Sequence, residues 1–278
     1  MVITGTSTGI GRACALRLDR AGFEVFAGVR SAEDGERLRE EASDRLRPLI
    51  VDVTDAEGIA AAAREVDAAL GGRGVAGLVN NAGLSIAGPL EFLPVDELRR
   101  QLEVNLVGQV AVTQAFLPAI RRAKGGRILN MTSVGGRIVN PFLGPYHASK
   151  WGLEAVTDAL RKELRPWGIH VVAIEPGTIQ SEIWRKGTEQ AEEVVAGLPA
   201  AGRRLYGRTI PKVLAMSERL TDHALPADRV AKVVERALTV RRPRARYVVG
   251  ADARALITLN QLLPSRLVDA LQARLIGI

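Results

Sequence analysis

Val2-Ile3-Thr4-Gly5-Thr6-Ser7-Thr8-Gly9-Ile10-Gly11 opens the chain, and Ala13, Cys14, Leu16 and Leu18 follow at helical spacing up to Ala21-Gly22. The order is strand, glycine turn, helix. At the start of an α/β sheet this order has a physical use. Gly5, Gly9 and Gly11 let the backbone approach a pyrophosphate, and the open N–H groups and positive dipole end of the helix hold it. The turn residues Gly5, Ser7, Thr8, Gly9, Ile10 and Gly11 are therefore candidate cofactor contacts. Their spacing is Gly-x-x-x-Gly-x-Gly, not Gly-x-Gly-x-x-Gly. Cys14 reads as a small packing residue inside the helix.

The next strand, Glu24 to Val29, ends in Gly28-Val29-Arg30-Ser31 with no acid. A carboxylate here would hold a ribose 2′-hydroxyl, whereas a guanidinium favours a 2′-phosphate. A charge-assisted contact of that kind is worth about 1.5 to 3 kcal/mol, so Arg30 predicts NADP(H) over NAD(H).

Further β-α alternations follow. A helix over Glu33 to Ala42 leads to a strand over Pro48 to Val51, and Asp52-Val53-Thr54-Asp55 then opens an alanine-rich helix, capped by Thr54 or Asp55 and ending at about Leu70. Gly77-Leu78-Val79 delivers Asn80-Asn81-Ala82-Gly83 at another strand end. The next helix, Val95 to Leu117, buries Asn105 among apolar neighbours, where an amide competes for backbone hydrogen bonds and needs a reason.

Gly126 to Thr132 reads as a buried strand that breaks at Gly135-Gly136 and places Ser133 at its carboxyl end, facing the usual ligand crevice. Thirteen residues on, Tyr146-His147-Ala148-Ser149-Lys150 starts a helix whose Leu153, Val156, Leu160 and Leu164 form one stripe, with a stop at Pro166 and Gly168. Tyr146 and Lys150 then point the same way. A tyrosine serves as acid or base only if its pKa of roughly 10 approaches neutrality, and a shift of about 2 to 3 units needs ~3 to 4 kcal/mol. One ammonium about 4 Å away supplies ~4 kcal/mol at an effective dielectric of about 20, so Lys150 is the right size of perturbation.

The ordered set Thr4 to Gly11, Asp52, Asn80 to Gly83, Asn105, Ser133, Tyr146-x-x-x-Lys150 and Glu175-Pro176-Gly177 resembles the short-chain dehydrogenase/reductase family. The resemblance spans most of residues 2–181. It implies an α/β fold of Rossmann type, a doubly wound, mostly parallel seven-stranded sheet with helices on both faces and the cofactor along the strand ends. It also implies that Tyr146 donates a proton in carbonyl reduction and accepts one in alcohol oxidation, while Ser133 hydrogen-bonds the substrate oxygen. By the same resemblance Lys150 lowers the tyrosine pKa and holds the nicotinamide ribose, and Asn105 positions a water linking Lys150 to solvent. Asp52 and Val53 border the adenine, Asn80, Ala82 and Gly83 the adenosine ribose and diphosphate, and Pro176, Gly177, Thr178 and Ile179 the nicotinamide.

Two departures stand out. The first strand is shorter than is common in the family, and Ser181 stands where threonine is frequent, with a retained hydroxyl that should keep its nicotinamide contact. The long tail with its arginine-rich turn resembles the branch that includes 17β-hydroxysteroid and retinol dehydrogenases.

Length and composition fit this reading. The 278 residues are 47% hydrophobic and 25% charged, as in an ordinary globular protein. One domain is expected over residues 1–278, with a substrate lid at about 180–220 and a C-terminal helical extension at about 250–278. Trp184, Leu205 and Tyr206 are candidate walls of an apolar pocket. The single cysteine excludes an internal disulfide framework, and histidines at 147, 170 and 223 form no metal-ligand cluster. Residues 201–278 hold 15 Lys/Arg against 6 Asp/Glu. The excess centres on Arg241-Arg242-Pro243-Arg244-Ala245-Arg246, read as a solvated loop because no aromatic interleaving supports nucleic-acid binding. Neither a signal peptide nor an integral membrane span is expected, which predicts a cytoplasmic location. The expected partner is a small alcohol or carbonyl compound, lipophilic by resemblance, and the family tendency implies a homodimer or homotetramer. A polyketide-like or small carbonyl and a non-catalytic dinucleotide sensor or scaffold are the rival functions.

Overall fold

The computed structural model describes residues 1–180, 182–222 and 224–276. Ser181 and His223 lie outside the described residues, as does the Trp184 side chain. The chain begins β1 (Val2–Ile3), α1 (Gly9–Arg20), β2 (Val25–Val29), α2 (Ala32–Arg39), β3 (Leu46–Ile50), α3 (Ala56–Ala69) and β4 (Gly77–Asn80). Next, α4 (Val95–Leu102) passes through a π-helical turn at Glu103–Val107 into α5 (Gly108–Arg122), β5 (Arg127–Met131), α6 (Gly144–Glu163) and β6 (His170–Pro176). Three helices follow, α7 (Glu182–Ala196), α8 (Ala200–Tyr206) and α9 (Ile210–Asp222), and then α10 (Ala227–Thr239), β7 (Arg246–Val249), α11 (Ala251–Leu262) and α12 (Ser265–Ile276).

The seven strands form one sheet in the order β3-β2-β1-β4-β5-β6-β7, parallel throughout. The winding direction reverses at β1, so the connections after β1 and β4 leave to opposite faces and open a crevice at their carboxyl ends.

Strand alternation builds two cores, one on each face of the sheet. Ile3, Val79, Leu129 and Val172 pack with Cys14 and Leu18 of α1 and Val230, Val234 and Leu238 of α10. Their sequence neighbours Val2, Leu78, Ile128 and Val171 pack with Ile59 and Val66 of α3 and Val112 and Phe116 of α5. Cys14 is buried and its thiol is pushed up to about 12 by that burial. Of the two candidate caps of α3, Asp55 is the one used, accepting from Glu57 N–H; Ser31 caps α2, accepting from Asp34 N–H.

The helix expected over Val95 to Leu117 is not continuous. It is interrupted by the π-turn around Asn105 and runs on through Pro118 to Arg122. The turn frees backbone groups that a side chain satisfies, since Gln109 Nε2 donates to Val104 O at 3.0 Å and to Ala82 O at 2.7 Å. It also brings Gly108 against the Val53 carbonyl, 2.5 Å from where a Cβ would sit.

The segment that carries α7, α8 and α9 is closed at its base by a parallel bridge between Ile179 and Leu225. At its far end Tyr206 donates to Glu91 at 2.8 Å and meets Phe92 and Phe142 edge to face, each at 5.9 Å. Leu205, a candidate for a pocket wall or for packing within its own segment, is 62% exposed on α8. The basic run also divides. Arg241, Arg242 and Arg244 are exposed as expected, whereas Arg246 opens β7 and pairs with Glu154, Asp158 and Glu175. Helices α11 and α12 fold back over the segment after Ser133, with Asn260 donating to Arg137 O and Gln272 to Val139 O.

Candidate active site

A cleft of about 490 Å³ runs along the carboxyl ends of the strands. Its floor begins at the glycine turn. Gly5 has φ +67° and Gly9 φ +56°, in the left-handed region that glycine enters without strain. A Cβ on Gly11 would fall 2.0 Å from Gly5 O, so only hydrogen fits there. Thr8 caps α1 with extended backbone and no side-chain cap bond, which leaves first-turn N–H groups facing the cleft.

Asn81 stitches this turn to the end of β4. Its Nδ2 donates to Thr4 O at 3.0 Å and to Gly5 O at 2.9 Å, while Thr4 Oγ1 accepts from Asn81 N–H and Ala82 N–H. The sequence reading chose Asn80 of this pair for the adenosine ribose and diphosphate; the structure places the Asn80 side chain in the core and Asn81 on the cleft lining. Asn80 is buried and donates to Thr113 Oγ1 and Asn130 Oδ1, both at 2.8 Å, while Asn130 donates to Thr157. Alternation already separates the two: Asn80 lies on the Leu78 side, toward α5, and Asn81 is released at the strand end.

Of the other predicted cofactor residues, Gly5, Ser7, Thr8, Gly9, Ile10, Gly11, Arg30, Asp52, Val53, Ala82, Gly83, Pro176, Gly177 and Ile179 line the cleft together. Arg30 is exposed on its rim. Burial works upward on the Asp52 carboxyl, but the Thr54 N–H and hydroxyl and the Arg30 charge outweigh it and hold Asp52 below the usual carboxylate value. Thr178 lies off the cleft lining; its carbonyl accepts from Leu225 N–H beside the Ile179–Leu225 bridge.

At the other end of the cleft Ser133, Tyr146 and Lys150 come together. The Ser133 and Tyr146 side chains are hydrogen-bonded, and Ser133 Oγ accepts Gly135 N–H at 3.0 Å. Lys150 Nζ donates to Met131 O at 2.8 Å and sits 5.7 Å from the Tyr146 ring centroid. The expectation of a lowered tyrosine pKa does not hold in the free protein. Burial raises the phenol, and only the Ser133 hydrogen bond opposes it. Lys150 itself is lowered to about 8 by burial, against the pull of Glu154.

Asn105 is fully buried and off the cleft lining. Its Nδ2 donates to Leu84 O at 2.9 Å and Ser149 Oγ at 3.2 Å, and its Oδ1 accepts Leu84 N–H at 2.9 Å. The side-chain amide thus braces the Gly83 segment against the residue before Lys150. His147 is a brace that the sequence reading passed over. With Nδ1 at 2.8 Å from Gly135 O and Nε2 accepting Asn140 N–H at 2.9 Å, its partners assign a neutral ring donating from Nδ1. Burial lowers its pKa and keeps it neutral.

Residues 1–192 match the family profile for short chain dehydrogenase. The chain belongs to the short-chain dehydrogenase/reductase family. Among curated members it is 39% identical to retinol dehydrogenase 5 of Mus musculus over 276 residues, covering 96% of this chain and 86% of that protein. It is 38% identical to 17-beta-hydroxysteroid dehydrogenase type 6 of Bos taurus over 278 residues, covering 98% and 87%. It is 35% identical to an NADPH-dependent 3-dehydrocapnine reductase of Ornithobacterium rhinotracheale over 272 residues, covering 96% and 94%. Among solved structures, a short-chain dehydrogenase of Burkholderia cenocepacia in complex with NADP superposes with a TM-score of 0.73 at 26% identity, covering 99% of this chain and 95% of that one. Within the family the chain sits with the retinol and hydroxysteroid dehydrogenase-like branch, and it is an oxidoreductase acting on alcohol and carbonyl groups.

The family's nicotinamide dinucleotide suits the residues present. The hydrogen-only space at Gly11, the open α1 N–H groups and the Arg30 guanidinium form one continuous anion-binding edge, and the Tyr146–Lys150 pair lies at the far end of the same cleft. Among the described residues no helix is long and apolar enough to cross a membrane.

Proposed function

We propose that the chain is an NADP(H)-dependent oxidoreductase interconverting an alcohol and a ketone or aldehyde on a lipophilic, steroid- or retinoid-like substrate. The observation that carries the chemistry is the hydrogen-bonded Ser133–Tyr146 pair beside Lys150, on the same cleft as the glycine turn. A bound nicotinamide supplies or accepts the hydride. Tyr146 gives its phenolic proton to the carbonyl oxygen in reduction and takes one from the hydroxyl in oxidation. Gly135 N–H occupies one lone pair of Ser133 Oγ, and the serine hydrogen, shared with the Tyr146 oxygen in the free protein, is the donor that turns to the substrate oxygen. Lys150 spends one hydrogen on Met131 O, keeps two for ribose hydroxyls, and holds its charge beside the phenolate left by proton transfer. Since burial raises the Tyr146 pKa, the phenol is protonated at neutral pH, the state that carbonyl reduction needs.

Arg30 supports the NADP(H) preference, because it stands at the end of β2 with no acid there to claim a ribose 2′-hydroxyl. The apolar side chains of Leu84, Val104, Ile179 and Ile183 on the cleft support a lipophilic substrate. A small anionic carbonyl is the second reading, favoured by Arg100 on the same lining.

Fluorescence titration with NADPH and NADH, followed by turnover on steroid, retinoid and small carbonyl panels, tests the proposal. It expects tighter NADPH binding, oxidation of NADPH by a lipophilic carbonyl, and loss of turnover with intact NADPH affinity in Tyr146→Phe. Substantial turnover by that variant would overturn the catalytic assignment.

A further inference from the structure

Behind the cleft lies a cluster of charge that the chemistry above leaves unused. Glu175, next to Pro176 on β6, is 0% exposed, and Glu154, one helical turn past Lys150 on α6, is 6% exposed. Arg246 Nε stands 3.1 Å from Glu154 Oε2 and 3.2 Å from Glu175 Oε1, so the two carboxyl groups flank one N–H. Arg137 Nη1 reaches the same Glu175 Oε1 at 3.2 Å. The other oxygens, Glu154 Oε1 and Glu175 Oε2, are buried and receive no hydrogen bond. Arg246 thus serves one oxygen of each carboxyl, Arg137 serves that same oxygen of Glu175, and neither serves the second oxygens. Two fully ionised carboxylates arranged this way leave two buried anionic oxygens without a protein hydrogen bond, which is among the costlier arrangements a protein can hold. One proton removes a charge and turns one of those oxygens into a donor.

We propose that Glu154 and Glu175 hold a single proton between them at neutral pH and act as a positioning pair behind the active site, joining the Ser133 segment, the Tyr146 helix and the Pro176–Gly177 loop. The connections are short in sequence: Arg137 lies four residues beyond Ser133, Glu154 four beyond Lys150, and Glu175 immediately before Pro176. Among the described residues, the charged groups in this network are Lys150, Asp158 and Arg161 from α6, Arg137 from the segment after β5, and Arg246 from β7. The Glu175 carboxyl is pushed up to about 7, first by burial and then by the Glu154 charge, against Arg137 and Arg246. An acid raised in this way contributes its full stability below about 4.5 and loses it as pH rises through about 7. Above that pH the pair carries two charges, and Lys150, which already feels Glu154, holds its proton more tightly.

The effect on turnover rests on the reading of Tyr146 and Lys150 as the reacting pair; the shared proton does not. Infrared spectra of the full chain, with and without NADPH, are recorded from about pH 5.5 to 8.5 beside kcat and KM profiles for wild type, Glu175→Gln and Glu154→Gln. A buried carboxylic-acid C=O band is expected at about pH 6, fading as pH rises through about 7 and missing from Glu175→Gln, which removes the carboxyl raised to about 7. The variant should also move the alkaline limb of kcat to lower pH by about half a unit or more, with KM unchanged, because Lys150 loses the second charge. No acid band in wild type overturns the shared proton and assigns a different donor to the two oxygens. A band with identical kcat profiles in all three proteins overturns the positioning role. Should Glu175→Gln fail to fold, Glu154→Gln provides the same two readings. Turnover surviving in Tyr146→Phe would overturn the site assignment and leave the infrared result standing.

Discussion

Lys150 Nζ lies 5.7 Å from the Tyr146 ring centroid while it donates a 2.8 Å hydrogen bond to Met131 O. The ammonium is held by a main-chain carbonyl above the ring, and burial has lowered its pKa from 10.5 to about 8. For a base lowered on folding, the penalty of carrying charge is complete below about 8 and is relieved as pH rises toward 10.5. Lys150→Met should therefore unfold at a higher temperature at neutral pH, by an amount corresponding to at most roughly 3 kcal/mol, while turnover falls by at least about a hundredfold. Calorimetry and kcat on the same sample check both.

The raised Tyr146 phenol sets the pH dependence of each direction. Carbonyl reduction needs the protonated phenol and should be flat through neutrality before declining at alkaline pH. Alcohol oxidation needs the phenolate and should rise with pH over the same range. Initial rates measured in both directions across the pH range would expose a wrong assignment if the two profiles were parallel.

Gly11 and Gly22 separate steric need from backbone freedom. A Cβ at Gly11 meets Gly5 O at 2.0 Å and Asn81 Nδ2 at 2.4 Å, whereas Gly22, at φ +87°, has nothing within 4 Å. Gly11→Ala should lose NADPH binding and about 1 to 3 kcal/mol of stability, because backbone must move. Gly22→Ala should cost only about 1 to 2 kcal/mol of left-handed strain and leave cofactor affinity intact. Urea melts and fluorescence titration distinguish them.

Arg30→Ala should weaken NADPH binding by roughly ten- to a hundredfold and barely change NADH, because the guanidinium has a 2′-phosphate to meet only in the first. An equal loss for both cofactors would contradict the preference.

Asn80 and Asn81 are adjacent and should behave differently. Asn80→Ala breaks a buried amide ladder and should cost about 1 to 3 kcal/mol of stability with a nearly unchanged cofactor Kd. Asn81→Ala unties the glycine turn from β4 and should raise the NADPH Kd with a smaller stability loss. Paired denaturation and binding curves decide.

Much of this was legible because local patterns carried it. Apolar runs ending in small or polar residues marked the first five strands to within a few residues, and the period of Leu153, Val156, Leu160 and Leu164 marked α6. Side-chain allegiance at strand ends was harder to read. Asn80 and Asn81 are chemically identical, and only the face of β4 sends one to the core and the other to the cleft. The π-turn was hidden for a related reason: its stability comes from Gln109 reaching two distant carbonyls, which no helical period reveals.

By itself, the amino-acid order determined the strand-turn-helix opening, the parallel alternation, and the Ser133, Tyr146 and Lys150 positions at the ends of their elements, because these depend on spacings of a few residues. The tertiary structure alone decided that Asn105 and His147 are braces, that Arg246 leaves the basic run to meet two buried carboxyl groups, and that the Tyr146 pKa is raised rather than lowered. Each of these outcomes is set by burial and by partners far apart in the chain. Desolvation, unlike periodicity, exists only once the chain has packed.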